Sequence, residues 1–201
     1  MEQRSDEWLE ARVGKITASR IKGITAKPKA GQAINATLLD VLSERLTGIQ
    51  IETPITKAMQ WGIDCEPLAK HAYELATFRT VVECGFIPHH IIPQSGASPD
   101  GLIGDDGLIE IKCPDTTKHL NTLITGQVPS DHLPQIIWQL ACTGRDWCDF
   151  VSFDPRLEPH LQIKIIRVER DETDIDKWEQ LVIQANELLD KVSSGLSNQF
   201  F

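Results

Sequence analysis

Ser98-Pro99-Asp100-Gly101-Leu102-Ile103-Gly104-Asp105-Asp106-Gly107-Leu108-Ile109-Glu110-Ile111-Lys112-Cys113-Pro114 is the stretch on which both the fold and the chemistry turn. Asp100-Gly101 leads out of one strand, Asp105-Asp106-Gly107 supplies a hairpin turn, and Leu108 to Lys112 opens a second strand. Side chains alternate along a strand, so Leu108, Glu110 and Lys112 share one face while Ile109 and Ile111 enter the opposite layer. Two acids and a lysine therefore converge. Carboxylates are the hard oxygen ligands that Mg²⁺ or Mn²⁺ prefers, and an adjacent cation can position water and offset charge developing on a phosphate. The pattern points to metal-assisted phosphodiester hydrolysis. An E-x-K on a solvated edge strand has the same local appearance, so the rest of the chain must decide.

Upstream, Val81-Val82, Gly85 to Ile92 and Gly96 to Ser98 read as further strands separated by turn residues. Pro67 suits the first turn of a helix from about Cys65 to Arg79, which sets Glu66 at its start. Ala36 to Leu46 has a helical apolar pattern that stops at Gly48. Ser5 can cap a helix through Arg12, and Thr17 or Ser19 a second one to about Ile24. Downstream come a helix from Leu133 to Thr143, strands at Phe150–Phe153 and His160–Val168, and a long helix from Thr173 to Ser193. The apolar stripe of that last helix, Trp178, Val182, Ala185, Leu189 and Val192, reads mainly as intramolecular core. This order predicts an α/β fold with a central mixed sheet flanked by helices. It is expected as one domain over residues 1–201: a basic helical segment (1–48), a core (61–168) and a terminal helix (173–194).

With 201 residues and 41% hydrophobic content the chain can bury one substantial core. No apolar run is long enough to cross a bilayer, and Met1 to Glu7 lacks the apolar stretch of a secretory signal; a cytoplasmic protein is expected. The five cysteines (Cys65, Cys84, Cys113, Cys142, Cys148) include no C-x-x-C pair, which argues for free thiols over disulfides or a zinc ribbon. Net charge is −9, unlike a protein that coats DNA with a basic surface. The charge is unevenly spread, however. Arg12, Lys15, Arg20, Lys22, Lys27 and Lys29 fall together with no acid among them, whereas Glu169 to Asp190 carries eight acids against Arg170 and Lys177. One end can face phosphate while the other faces water. Bound divalent ions would also reverse the sign of an acidic site.

Pro99, Asp100, Glu110 and Lys112 match each letter of the PD-(D/E)xK nuclease pattern. Six segments occur in a fixed order around it: Arg12 to Ser19, Trp61 to Glu66, Ser98 to Gly101, Glu110 to Pro114, Gln135, and Asp154-Pro155-Arg156. From about Trp8 to Arg170 the chain resembles the phage lambda-type exonucleases, also called the YqaJ-like viral recombinase nucleases. The resemblance implies a restriction-endonuclease-like core and two Mg²⁺ ions, replaceable by Mn²⁺. Asp100 would be shared between the ions, Glu110 and the backbone carbonyl of Ile111 would complete the first, and Glu66 would help hold the second. Lys112 would orient the attacking water, and Gln135 would help orient Lys112. Gln139, one turn later on the same side, is a weaker candidate. Iron–sulfur relatives in the wider superfamily use one early and three late cysteines, a set this chain lacks.

By the same resemblance Arg12, Ser19 and Ser98 would form a pocket for a terminal 5′ phosphate, a role suited to the guanidinium fork. Each residue has a plainer reading as well, as a surface arginine, a helix cap and a turn serine. Trp61, Trp138 and Trp147 read as core, Trp8 as open, and the six histidines have no ligand spacing. The family acts on double-stranded DNA ends as a homotrimeric ring, digests from the 5′ end, and leaves a 3′ overhang for a single-strand annealing recombinase in a phage or prophage setting. Two alternatives share the core: a repair or restriction endonuclease, and a non-catalytic DNA-end-binding subunit.

Overall fold

A computed structural model describes residues 2–51 and 54–199. Residues 1, 52–53 and 200–201, included in the single-domain expectation, lie outside the described residues. The Ser5 side chain accepts the Trp8 N–H and starts α1 (Asp6–Arg12) as expected. The next expected helix is broken into β1 (Ile16–Thr17), a single 3₁₀ turn (Ala18–Arg20) and α2 (Ile21–Ile24). Ile16 and Thr17 are drawn into parallel pairing with Ser95 and Gly96. Thr17 and Ser19 bond each other's hydroxyls at 3.2 Å and cap nothing. α3 (Ala36–Thr47) runs from an Asn35 cap to Gly48, whose φ of 70° provides the left-handed stop.

α4 (Lys57–Thr77) corrects the sequence reading most. It starts about two turns before Cys65 on a Thr56 cap, with Pro67 in its interior. A proline there removes one helical donor, at a cost of about 3 kcal/mol. Packing offsets it: Cys65, Ala69 and Tyr73, one turn apart, are buried together against the sheet. Glu66 is thus mid-helix, where the macrodipole gives no reason for an acid.

The strands β2 (Val81–Val82), β3 (Ile87–Pro88), β4 (Ser95–Ala97), β5 (Gly101–Ile103) and β6 (Gly107–Lys112) follow. The expected strand at residues 85–92 shortens to β3 because the chain turns back, with His89 N–H bonded to Ser95 O and Ser95 N–H to Ile92 O. α5 (Thr116–Thr125) was not expected from its threonine-rich sequence; an Asp115 cap and the buried His119 and Thr122 hold it. α6 (Leu133–Thr143) has its expected bounds. β7 (Trp147–Phe153) starts earlier than expected. β8 (Ile163–Glu169) starts later, because Pro159–Leu161 forms a 3₁₀ turn. α7 (Ile175–Gln199) closes the order, with Val182, Ala185 and Leu189 buried in the core as its stripe requires.

Five strands form the main sheet in the order β2-β5-β6-β7-β8, parallel only between β6 and β7. A smaller sheet, β1-β4-β3, lies in the N-terminal half. Ile109 and Ile111 pack with Cys65, Ala69 and Tyr73 of α4, whereas Leu108 packs with Ile136 and Leu140 of α6. The expected alternation along β6 is therefore the one observed, and the sheet is mixed and flanked by helices. Gly107 is required where β6 begins. A Cβ there would lie 2.1 Å from the Trp147 ring on the paired strand.

Candidate active site

Glu110 and Lys112 point from β6 toward α6. Glu110 is fully buried, and its Oε2 accepts a 2.5 Å hydrogen bond from Gln139 Nε2. Its other oxygen, Oε1, is in ion contact with Lys112 Nζ but has no aligned hydrogen-bond donor. Asp100 closes the hairpin from the other side: its Oδ2 accepts the Ile111 N–H at 2.6 Å, and its own N–H bonds Ile109 O at 3.2 Å.

Electrostatics mark the site as short of positive charge. Burial, followed by the nearby Glu110 charge, raises the Asp100 carboxyl well above the usual carboxylate range. Burial disfavours the charged form of Lys112, but Glu110 and Asp100 outweigh it and push the ammonium up to about 12. A divalent cation would relieve both acids. The donors fit one: the buried Glu110 carboxylate, the Asp100 carboxylate and a backbone segment form an oxygen set suited to Mg²⁺ rather than to a soft metal. Among the described residues, no three acid, histidine or cysteine side chains already converge closely enough to hold an ion. Glu66 is turned to Arg4, with Nη2 to Oε2 at 2.8 Å, while Glu110 is engaged by Lys112 and Gln139. Glu66, Asp100 and Ile111 nevertheless line one cavity of about 330 Å³.

Gln139, the weaker sequence candidate, is the glutamine that reaches Glu110. Gln135, one turn earlier, is half-buried, and among the described hydrogen bonds none joins it to Lys112. The i, i+4 spacing put both on one side of the helix without indicating which would meet the acid. His132, unassigned from sequence, stacks on Phe150 at 5.6 Å, beside Glu110 in the sheet register.

A second cluster adjoins the first through Pro99 alone. Ser98 Oγ accepts from Trp8 Nε1 at 2.9 Å and from Arg12 Nη1 at 3.2 Å, and the Arg12 guanidinium lies 4.0 Å over the Trp8 ring. Burial, then the like charge of Arg20, lowers Arg12 to about 10, with Glu44 opposing. Glu44 is already committed to a two-pronged pair with Arg20 at 2.5 and 2.7 Å. Among the described residues Arg12 has no ion pair of its own, which suits an incoming anion. Ser19 is exposed and bonded to Thr17, and no described hydrogen bond links it to Arg12 or Ser98. Trp8 thus organises this cluster. Its sequence signal was only proximity, one helical turn before Arg12.

A family model described as the YqaJ-like viral recombinase domain matches residues 7–146, which span both clusters. The chain belongs to that family. The YqaJ-like chain is 41% identical to LHK-Exo, an alkaline exonuclease from Laribacter hongkongensis, over 97% of each chain. The TM-scores are 0.89 for a complex with dAMP and 0.87 for a second structure. A phage-related exonuclease from Haemophilus somnus 129PT shares the fold at 16% identity and a TM-score of 0.68, over 90% of this chain and 96% of that one. An uncharacterized protein of Acanthamoeba polyphaga mimivirus is 26% identical over 96% of this chain, which spans about a third of that relative's length. Family membership and the likeness to an exonuclease support a nuclease function. No helix among the described residues is long and apolar enough to cross a membrane.

Proposed function

We propose that the chain is a Mg²⁺-dependent exodeoxyribonuclease that digests one strand of linear double-stranded DNA in the 5′-to-3′ direction. The observation that carries this reading is the placement of the Arg12–Ser98–Trp8 cluster next to the acidic centre, with only Pro99 between Ser98 and Asp100. An endonuclease has no need of an anion grip for a chain end beside its cutting site.

Asp100, Glu110, the Ile111 carbonyl and Glu66 would hold two Mg²⁺ ions, for which Mn²⁺ can substitute. The bound ions would supply Lewis-acid activation and charge neutralisation. Lys112 has its ammonium favoured by the neighbouring Glu110 and Asp100 charges against the cost of burial. It therefore serves as a hydrogen-bond donor that orients water and steadies the phosphate, not as a base. Gln139 fixes the Glu110 carboxylate, leaving Gln135 for Lys112 and the water. Arg12, with Ser98 and Ser19, receives the terminal 5′ phosphate.

The remaining 3′ overhang would pass to a single-strand annealing recombinase in the cytoplasm of a bacterial host, in a phage or prophage setting. A homotrimeric ring would keep an acidic enzyme on its DNA without a strongly basic surface. Linear duplexes labelled separately at the 5′ and 3′ ends, with a closed circle as control, test the reading. Early loss of 5′ label with the circle intact is expected. Cleavage of the circle, or 3′ label lost first, would overturn it. Light scattering should give the mass of three chains, and a monomer at assay concentration would remove the ring.

A further inference from the structure

Residues 2–5, ahead of the family match, fold as a tight turn at the cavity shared by Glu66 and Asp100. Ser5 N–H and Oγ both bond Glu2 O, at 3.3 and 2.7 Å. The Gln3 amide donates to Pro99 O at 2.7 Å and to Cys84 O at 3.0 Å, which ties the turn to the backbone just before Asp100. Arg4 has a φ of 68°, a left-handed conformation that residues with a side chain seldom adopt. Phe78, the other such residue among those described, simply ends a helix. At Arg4 the conformation aims a guanidinium at Glu66, which has neither Lys112 nor Gln139 as partner. The pair is partly open, with side-chain exposures of 53% for Arg4 and 32% for Glu66, so it can exchange.

We propose that Arg4 is the resident counter-ion of Glu66, competing with a divalent cation for that carboxylate and making the second ion the weaker of two. This rests on the two-ion reading above. Asp100, Glu110 and Glu66 carry three formal negative charges against the two positive charges of Lys112 and Arg4. The first ion answers the uncompensated charge at Asp100 and Glu110, and the second must displace the guanidinium. An ion pair this exposed is worth up to about 1 kcal/mol, which corresponds to a roughly fivefold change in affinity.

Calorimetric titration of the full chain with Mn²⁺, in the absence of DNA, reads this directly. The wild type is expected to show a tight and a weak class of site. Arg4→Gly keeps the turn, because glycine adopts positive φ freely, and should tighten only the weak class, by about fivefold. Arg4→Lys, which keeps the charge, should leave that class weak. Glu66→Gln should remove it in either background. If Arg4→Gly leaves the weak class unchanged, or tightens both classes equally, Arg4 is not the competitor, while the two-ion reading stands. If the wild type shows one class, abolished by Asp100→Asn and indifferent to Glu66→Gln, the two-ion reading fails and the counter-ion role with it.

Discussion

Replacing Gln139 with leucine tests how the acidic centre is held. Both partners of the Gln139–Glu110 bond are fully buried, and the acceptor is a carboxylate, so the bond belongs to the class worth about 1.5–3 kcal/mol. Leucine also removes the buried Gln139 Oε1, which has no hydrogen-bond partner and carries a desolvation cost of about 1–3 kcal/mol. The relief at Oε1 offsets part of the lost bond, but the buried Glu110 Oε2 is left without its donor, so the single variant should be destabilised by about 1–3 kcal/mol. The interaction emerges only in a double-mutant cycle with Glu110→Leu, where the coupling should be about 1.5–3 kcal/mol. Loss of a group that orients a metal ligand should also weaken Mg²⁺ binding by about 10–100-fold. Urea unfolding of the four chains in chelator, with calorimetric titration of Mg²⁺ into the single variant, provides both readouts. Coupling below about 0.5 kcal/mol together with unaltered Mg²⁺ affinity would refute the assignment.

Lys112→Ala should slow cleavage by orders of magnitude while metal binding is kept or tightened, because Glu110 loses its competing cation; single-turnover rates with a metal titration decide, and loss of metal binding would make Lys112 structural. Arg12→Ala should reduce the preference for 5′-phosphorylated over 5′-hydroxyl ends more than it reduces duplex binding; an unchanged ratio would leave Arg12 as part of the basic surface. Burial opposes the charge on Asp154, but bonds from Arg156 at 2.7 and 2.9 Å and from Thr116 at 2.6 Å hold its carboxyl down at about 2. Because the folded value lies below the unfolded one of about 3.9, this carboxylate contributes stability that is present above about pH 4 and lost as pH falls toward about 2. Asp154→Asn should flatten that acid limb in unfolding curves taken between pH 5 and 2, and an unchanged limb would mean other carboxylates set it.

The hairpin and the facing of Leu108, Glu110 and Lys112 could be read from residue order because a two-residue period has one consistent solution once a layer is apolar. Features that depend on a distant partner could not. Pro67 is a strong local signal for a helix start, yet the Cys65, Ala69 and Tyr73 face packs well enough to carry it inside α4. Thr17 and Ser19 have the chemistry of caps, but pairing with Ser95 and Gly96 claims the backbone first. Gln139 and Gln135 share a helix side, and only the height of β6 against α6 selects between them. Arg4 meets Glu66 across 62 positions, a contact with no local pattern at all.

Ser98 and Asp100 are separated by Pro99, buried and held through its carbonyl by the Gln3 amide and the Cys84 thiol. Two residues of backbone span at most about 7 Å. On the proposed reading, the same short, rigid piece of chain carries Ser98, against which Arg12 is held, and the acid at the scissile bond, and so acts as a ruler. The length of each fragment released is then set by covalent geometry and not by how fast the DNA moves through. A longer or looser link at Pro99 would make the enzyme an inaccurate measurer before it made it a slow one.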